Sequence, residues 1–420
     1  MFGLCDCNNF YVSAERVFRP DLINQPVLVL SNNDGCVISR SNEVKKLGIK
    51  MGEPFFKVKE LVKKFNITVF SSNYELYADM SSRVMSILSG FSPETEIYSI
   101  DECFLDLSGM ELFDLKEYGK KIVDTVERNS GIPVCLGIAP TKTLAKLSNR
   151  FAKKYPAYKR VCLMDTDTKI EKGLKLTEIG DVWGIGRRYA AKLIKNKIET
   201  AYDFTQLPKE WVRKNMSVVG ERLWRELQGE SCLSIDSVQP PKKQICTSRS
   251  FGQPVTDLSP LFAAVAEYAT HCAYKLRQQK SYAASIMVFI STNWFNKKLA
   301  QYHNSKIITL PVPTSSTIEI INFSRIALEM IYRPGYQYKK AGVIITEITD
   351  IEGIQGNIFY QIDITKHGKL MKTIDHINDS FGADTIKVAA VGQGVHEMQR
   401  NKLSPRYTTR IQDILKVKLE

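Results

Sequence analysis

The amino-acid sequence predicts a multidomain α/β protein, and three observations carry that reading. Residues 2–165 alternate short β-branched or apolar runs with helical ones. Residues 174–227 turn helical. Beyond a Pro- and Lys-rich stretch at 237–243, the order strand, helix, strand, strand, helix, strand appears. With 420 residues, 44% hydrophobic and 25% charged, the chain can bury a substantial core and exceeds one ordinary domain.

In the first region the β-like runs fall near 2–6, 27–31, 96–107 and 133–139. The helical region holds two amphipathic segments punctuated by Gly184-Ile185-Gly186, with a further stop at Leu207-Pro208. Gln239-Pro240-Pro241-Lys242-Lys243 has linker composition, because proline stiffens it and charge keeps it solvated. After it, strands are expected at 245–251, 283–292, 306–310 and 341–348, with helices at 260–279 and 315–333, the pattern of a small split-βαβ domain. Beyond 350 the pattern weakens into Gly-rich and polar segments, expected to form an interaction tail, and no internal repeat is present.

Lys and Arg number 58 against 45 Asp and Glu, a net charge of +13 that favours an anionic partner. Residues 141–225 hold 20 Lys and Arg against 9 Asp and Glu, a surplus of 11 that is most of the excess. Such concentration points to polyphosphate or nucleic acid, although a solvated basic face explains part of it. Nine cysteines, an odd number with no C-x-x-C spacing, read as buried thiols in a reducing cytosol. The segment Met1-Phe2-Gly3-Leu4-Cys5-Asp6 lacks the basic and apolar stretches of a signal peptide. The longest uncharged stretch, 281–296, falls short of the roughly 18 residues a spanning helix needs, so a cytoplasmic protein is expected.

The strongest chemical signal is Glu96-Ile97-Tyr98-Ser99-Ile100-Asp101-Glu102-Cys103-Phe104-Leu105-Asp106-Leu107. Two β-like runs flank adjacent carboxylates, so a hairpin would project Asp101 and Glu102 from a sheet edge. Asp6 ends the first expected strand and would join them if that strand lies beside the hairpin. Three hard oxygen donors with no His or Cys partner suit Mg²⁺ better than zinc, and two such ions would serve phosphoryl transfer. Ordinary turn chemistry also explains an isolated Asp-Glu pair.

A strand, the turn Ala139-Pro140-Thr141 and then a helix follow from residue 134 to residue 154. At about 100° per residue, Lys142, Lys146, Arg150 and Lys153 form a basic stripe while Leu144, Leu147 and Phe151 face elsewhere. Beside a carboxylate site the stripe would hold phosphates; alone it is equally a solvated face. Gly184-Ile185-Gly186-Arg187-Arg188 opens a helix whose backbone N–H groups would cradle a phosphate, after the pattern of a helix-hairpin-helix that grips DNA backbone. A tight turn between packed helices is the plainer alternative.

Asp6 through Phe10-Tyr11, then Tyr98-Ser99-Ile100-Asp101-Glu102, then Gly137-Ile138-Ala139 with Lys142 and Leu144-Ala145-Lys146 resemble the Y-family translesion DNA polymerases. Leu30-Ser31-Asn32-Asn33-Asp34-Gly35-Cys36, Ser71-Ser72-Asn73-Tyr74-Glu75-Leu76-Tyr77 and Leu403-Ser404-Pro405-Arg406-Tyr407-Thr408-Thr409-Arg410 resemble the UmuC type, the catalytic subunit of bacterial DNA polymerase V. The resemblance covers nearly the whole chain.

It implies a right-hand polymerase: palm at 1–25 and 75–165, small fingers at 26–74, a helical thumb with its helix-hairpin-helix at 166–236, a linker at 237–243, a little finger at 244–350 and a tail at 351–420. The activity implied is Mg²⁺-dependent, error-prone translesion synthesis in DNA damage tolerance and SOS mutagenesis. By resemblance, Asp6, Asp101, Glu102 and the Cys7 backbone carbonyl would hold two Mg²⁺ ions. Tyr11 would be the steric gate under the sugar, with Phe10 beside it, and Lys45 and Lys153 would contact the triphosphate of a deoxynucleoside triphosphate. Lys142, Lys146, Gly184, Gly186, Arg187 and Arg188 would meet primer-template DNA.

Two positions depart from the family pattern. Asn42 stands where many relatives carry a tyrosine near the triphosphate. Gln355-Gly356-Asn357-Ile358-Phe359 resembles the sliding-clamp docking peptide, with Gln355, Asn357, Ile358 and Phe359 as anchors and Gly356 in place of one. The resemblance further implies a UmuD′-type dimer and RecA as partners. Two alternatives differ in class: a DNA-binding recruitment protein without catalysis, against which the retained carboxylates argue, and a nucleotidyl cyclase on a similar palm, which leaves the basic helical region unexplained.

Overall fold

The computed structural model describes residues 1–110, 112–236, 240–350, 356–360, 363–392 and 399–415. It divides into two compact units, Met1–Gln239 with Arg400–Glu420, and Pro240–Gln399.

The first unit opens with β1 (Phe2–Cys7), α1 (Phe10–Phe18), β2 (Val27–Leu30), β3 (Val37–Arg40), α2 (Asn42–Lys46), α3 (Phe55–Lys64), β4 (Thr68–Ser71) and α4 (Tyr74–Ser89). It continues with β5 (Thr95–Ile97), β6 (Glu102–Asp106), α5 (Leu115–Ser130), β7 (Val134–Ala139), α6 (Lys142–Lys154) and β8 (Val161–Leu163). The helices α7 (Asp167–Lys175), α8 (Arg187–Lys195), α9 (Ala201–Thr205) and α10 (Lys209–Leu227) complete it. A five-stranded sheet of order β5-β6-β1-β7-β8 is its centre, and a three-stranded sheet of order β3-β2-β4 lies apart from it in sequence between α1 and α4. The short strands β3, β4 and β8 carry too few residues to show a clear period and are not among the expected ones.

β1 is antiparallel to both neighbours, β6 and β7, and apolar clusters cover both faces of the sheet, Cys5 and Cys7 entering one and Leu4 the other, so the strand reads as an almost unbroken apolar run. Helix α6 lies unusually close to this sheet. A Cβ at Gly137 in β7 would stand 2.0 Å from the backbone nitrogen of Asn149 and 2.4 Å from the carbonyl of Ala145, so only glycine permits the approach. The buried Asn149 side chain then donates to the carbonyls of Leu4 at 3.0 Å and Cys135 at 2.7 Å, clamping the helix onto β1 and β7. Thr141 caps the helix by accepting from the Leu144 N–H.

The second unit contains β9 (Ile245–Val255), α11 (Leu258–Gln278), β10 (Tyr282–Thr292), β11 (His303–Thr314), α12 (Thr317–Ile331), β12 (Tyr338–Thr349) and α13 (Ile364–Phe381). Its four strands form an antiparallel sheet of order β11-β10-β12-β9, and the apolar faces of α11 and α12 close the core with it. Residues 351–420 do not form one segment. Helix α13 belongs to the second unit, where Asp375 holds Arg277 of α11 at 2.7 Å, whereas residues from Arg400 onward belong to the first. The expected linker lies partly outside the described residues, at 237–239. Six of the nine cysteines are buried; Cys246 is exposed, because its position on β9 turns it away from the core. Among the described residues no helix is long and apolar enough to cross a membrane.

Candidate active site

The register of the central sheet assembles the carboxylates. Asp6 on β1 stands opposite Glu102, the first residue of β6. Asp101 precedes it in the turn after β5, where its carbonyl accepts the Cys7 N–H at 2.8 Å and its carboxylate accepts the Ser99 hydroxyl at 2.6 Å. The turn is therefore tied to the end of β1 by main-chain bonding, which fixes Cys7 beside Asp101. Separations of about 95 residues in sequence vanish because β1 and β6 are hydrogen-bonded neighbours.

Helix α6 lays its basic residues over this edge. Lys153 pairs with Asp6, and Lys146 reaches Glu102 at 3.1 Å while lying 4.3 Å from the centroid of the Tyr98 ring and 5.1 Å from that of Trp183. Burial pushes the Asp6 carboxyl up to about 7 against the pull of Lys153, and Glu102 and Asp101 add to the rise. Among the described residues no group of three or more His, Cys, Asp and Glu side chains converges closely enough to hold a metal ion as they stand. Asp6 and Glu102 each close on a lysine of α6 instead. The donor set nonetheless fits a hard divalent cation: carboxylate oxygens only, crowded like charges, and a protonation balance that additional positive charge would relieve.

The stripe on α6 is not a uniform solvent-facing row. Lys142 is 4% exposed, pairs with Glu96 and lies 5.0 Å from the centroid of the Phe104 ring, so its ammonium is turned into the interior rather than toward a phosphate. Removing either partner of that pair would strand a charge at a cost of about 3–5 kcal/mol. Arg150 pairs with Asp181, at the far edge. A cleft of about 580 Å³ runs between these groups, with Asp6, Glu102, Lys146, Arg150, Lys153 and Asp181 in its walls.

Phe10 is buried in the apolar core, so its side chain packs rather than lines a binding surface. Tyr11 is half-buried, its ring stacked on Tyr77 with centroids 4.5 Å apart and edge-on to Tyr74 at 6.1 Å. Lys45 donates to the Asn42 side chain at 3.3 Å, and Asn9 donates to the same oxygen at 3.2 Å. Burial holds the Lys45 ammonium below the usual lysine range, Arg40 and Lys153 press it further down, and Asp6 opposes them, so Lys45 shares the electrostatic neighbourhood of the carboxylates.

Gly184, at φ +92°, and Gly186, at the N-cap of α8, place exposed Arg187 and Arg188 at the start of that helix. A side chain at Gly186 would meet nothing within 4 Å, which leaves the backbone open to approach. Trp183 donates from its indole nitrogen to the Tyr98 hydroxyl at 3.2 Å, linking this turn to the carboxylate hairpin. In the second unit, Asn357, Ile358 and Phe359 sit in a tight turn with Phe359 92% exposed; Gln355 lies outside the described residues.

Among the partners not foreseen from sequence are Glu96 for Lys142, Asp181 for Arg150, and Asn149 as the clamp of α6. Only Asn149 left a signal, a polar residue between the apolar Leu147 and Phe151.

Comparison with known proteins decides the family. The model of the impB/mucB/samB family matches residues 5–150, that of its C-terminal domain matches 242–358, and a domain of unknown function matches 368–417. The chain is 46% identical to the protein UmuC of Salmonella typhimurium over the full length of both, and 44% identical to the protein ImpB of Salmonella typhimurium over 99% of each. The chain belongs to the UmuC/ImpB/MucB/SamB family of Y-family polymerases. It is also 24% identical to the DNA polymerase IV of Brucella melitensis, over 91% of this chain and 83% of that one. Among solved structures, a Y-family DNA polymerase chimera superposes with a TM-score of 0.67 at 20% identity, over 83% of this chain and all of that one, so the fold is shared.

Proposed function

We propose that this chain, an error-prone translesion DNA polymerase of SOS mutagenesis by its family, extends a primer 3′-hydroxyl with Asp6, Asp101 and Glu102 as its metal-binding carboxylates. The observation that carries the proposal is the register pair Asp6 and Glu102 across β1 and β6, with Asp101 tied to Cys7 beside it. These three, with the Cys7 carbonyl, would hold two Mg²⁺ ions. When bound, such ions lower the pKa of an attacking hydroxyl and neutralise a leaving pyrophosphate.

The chain's own residues do the rest. Pairing on both sides of β1 holds the backbone at Asp6, from which its carboxylate would orient the α-phosphate. Lys153 and Lys45 supply the positive charge for the triphosphate, and Lys153 would exchange Asp6 for a phosphate oxygen as the nucleotide arrives. The Tyr11 ring, backed by Tyr77, fills the space under the sugar where a 2′-hydroxyl would project. Arg187, Arg188 and the turn at Gly184 and Gly186, with its open backbone at Gly186, would grip DNA phosphates without reading sequence. Lys146 would steady Glu102 and the edge of the DNA cleft; Lys142 serves by holding the hairpin through Glu96. Exposed Ile358 and Phe359 would dock on a sliding clamp, and a UmuD′-type dimer and RecA would be further partners in the bacterial cytoplasm.

Primer extension on undamaged and abasic templates, with Mg²⁺, all four deoxynucleotides and accessory proteins, tests the reading. Wild type should extend and Asp101→Ala should lose extension by about 10²–10³-fold. Equal extension by both would remove Asp101 from the metal site.

A further inference from the structure

Residues 400–410 cross the first unit and pack against α1, the end of β4 and the start of α4. The Asn401 N–H donates to the Asp34 carboxylate at 3.1 Å, and Lys402 exchanges two hydrogen bonds with Ser71 at the end of β4, at 2.9 and 3.0 Å. Arg406 pairs with Glu75 at 3.1 Å, and the Tyr407 ring stacks on Phe18 at 4.6 Å. At the centre of this strap Ser404 is buried among side chains of α1 and α4. The Asn73 amide donates to the Ser404 hydroxyl at 3.0 Å and to the carbonyls of Ser404 and Pro405, both at 3.1 Å. The Ser404 hydroxyl donates in turn to the Glu15 carboxylate at 2.9 Å.

Glu15 is fully buried, and the same oxygen accepts the Tyr77 hydroxyl at 2.6 Å. Tyr77 is fully buried too, and its ring is the plate on which Tyr11 stacks, 17° from parallel. The donors and acceptors run in one consistent direction, from the Asn73 amide through Ser404 to Glu15, with Tyr77 converging on Glu15 from the other side. Each joint is buried, so none is traded for water as it moves.

We propose that this relay makes Ser404, Glu15 and Tyr77 positioning residues for sugar selection, so that the carboxy-terminal strap sets how firmly Tyr11 excludes a ribonucleotide. The inference rests on the reading of Tyr11 as the sugar gate. A ring tethered through its hydroxyl cannot slide or tilt, and a gate that works by sterics is only as selective as its backing is rigid. Without the tether, Tyr77 keeps its place in the core but gains freedom along its ring plane, and Tyr11 yields with it. Ribonucleotide use should change more than deoxynucleotide use, because the relay residues hydrogen-bond one another and bear on the sugar side of the site through Tyr11.

The test is the ratio of kcat/KM for deoxynucleotide to that for the matching ribonucleotide, measured by primer extension with the full chain. The variants are Tyr77→Phe, which keeps the ring, Ser404→Ala and Ser404→Thr, with Tyr11→Ala as reference. The expected result is a ratio reduced about three- to tenfold in Tyr77→Phe and Ser404→Ala. The loss should come from easier ribonucleotide entry, and Ser404→Thr should restore it. A wild-type ratio in Tyr77→Phe, with Tyr11→Ala abolishing selectivity, would overturn the relay and leave the gate standing. Unchanged selectivity in Tyr11→Ala would overturn the gate and the relay with it. Should Ser404→Ala fail to fold, Tyr77→Phe alone decides the matter.

Discussion

Replacing Tyr11 by alanine would empty the space between Tyr77 and the sugar, and ribonucleotide incorporation should rise by about 10²-fold, checked by competition between the two nucleotides in primer extension. Glu15 gives a second expectation at this scale. Burial raises its carboxyl from an ordinary 4.5 to about 7, against the opposing hydrogen bonds from Tyr77 and Ser404, and its other oxygen has no hydrogen-bond partner among the described residues. The folded state therefore binds this proton more tightly than the unfolded one, so stability falls as pH rises from about 4.5 through about 7. The difference amounts to about 3 kcal/mol at alkaline pH. Glu15→Gln should flatten that slope, read by denaturant midpoints at pH 5 and pH 8; an unchanged slope would show that Glu15 ionises freely. The carboxylates Asp6, Asp101 and Glu102 were legible in the sequence because β-like runs on either side announce a rigid edge. Their lysine partners were not, since helical periodicity places Lys146 and Lys153 on one face without saying which acids that face will meet.

Elements are joined by a few close approaches. Gly137→Ala drives a methyl group into the backbone of α6, and the helix must lift from β7, at a cost of about 3 kcal/mol or more. Because α6 carries Lys146 and Lys153, polymerase activity should fall together with the melting temperature; a variant with wild-type stability would show that the helix has room to move. The long elements were readable from period and punctuation. Strands at 245–251, 283–292 and 341–348 and helices at 260–279 and 315–333 appear where apolar spacing predicts them, although β9 and β11 run several residues further. The stripe on α6 was readable only as a set of angles. Lys142 lies on it and is yet buried, because the turn before α6 presses its first residues against Phe104 and Glu96.

Across the whole chain, the net charge of +13 makes DNA binding sensitive to salt. Arg187→Ala combined with Arg188→Ala should weaken binding to all sequences alike and reduce the slope of log K against log salt by up to about 2, measured by titration at several salt concentrations. An unchanged slope would return those arginines to the solvated surface. The sequence by itself determined the composition of the parts: a carboxylate hairpin, a basic helix, a Gly-x-Gly turn, and apolar periods sufficient to order strands and helices. These are local properties, carried by neighbours a few residues apart. Tertiary structure alone decided that Asp6 would face Glu102, that Lys153 would close on Asp6, and that Ser404 would reach Glu15 from nearly 390 positions away. Such pairings depend on strand register and on the burial of polar groups that must find partners wherever the chain brings them, and no local pattern encodes either.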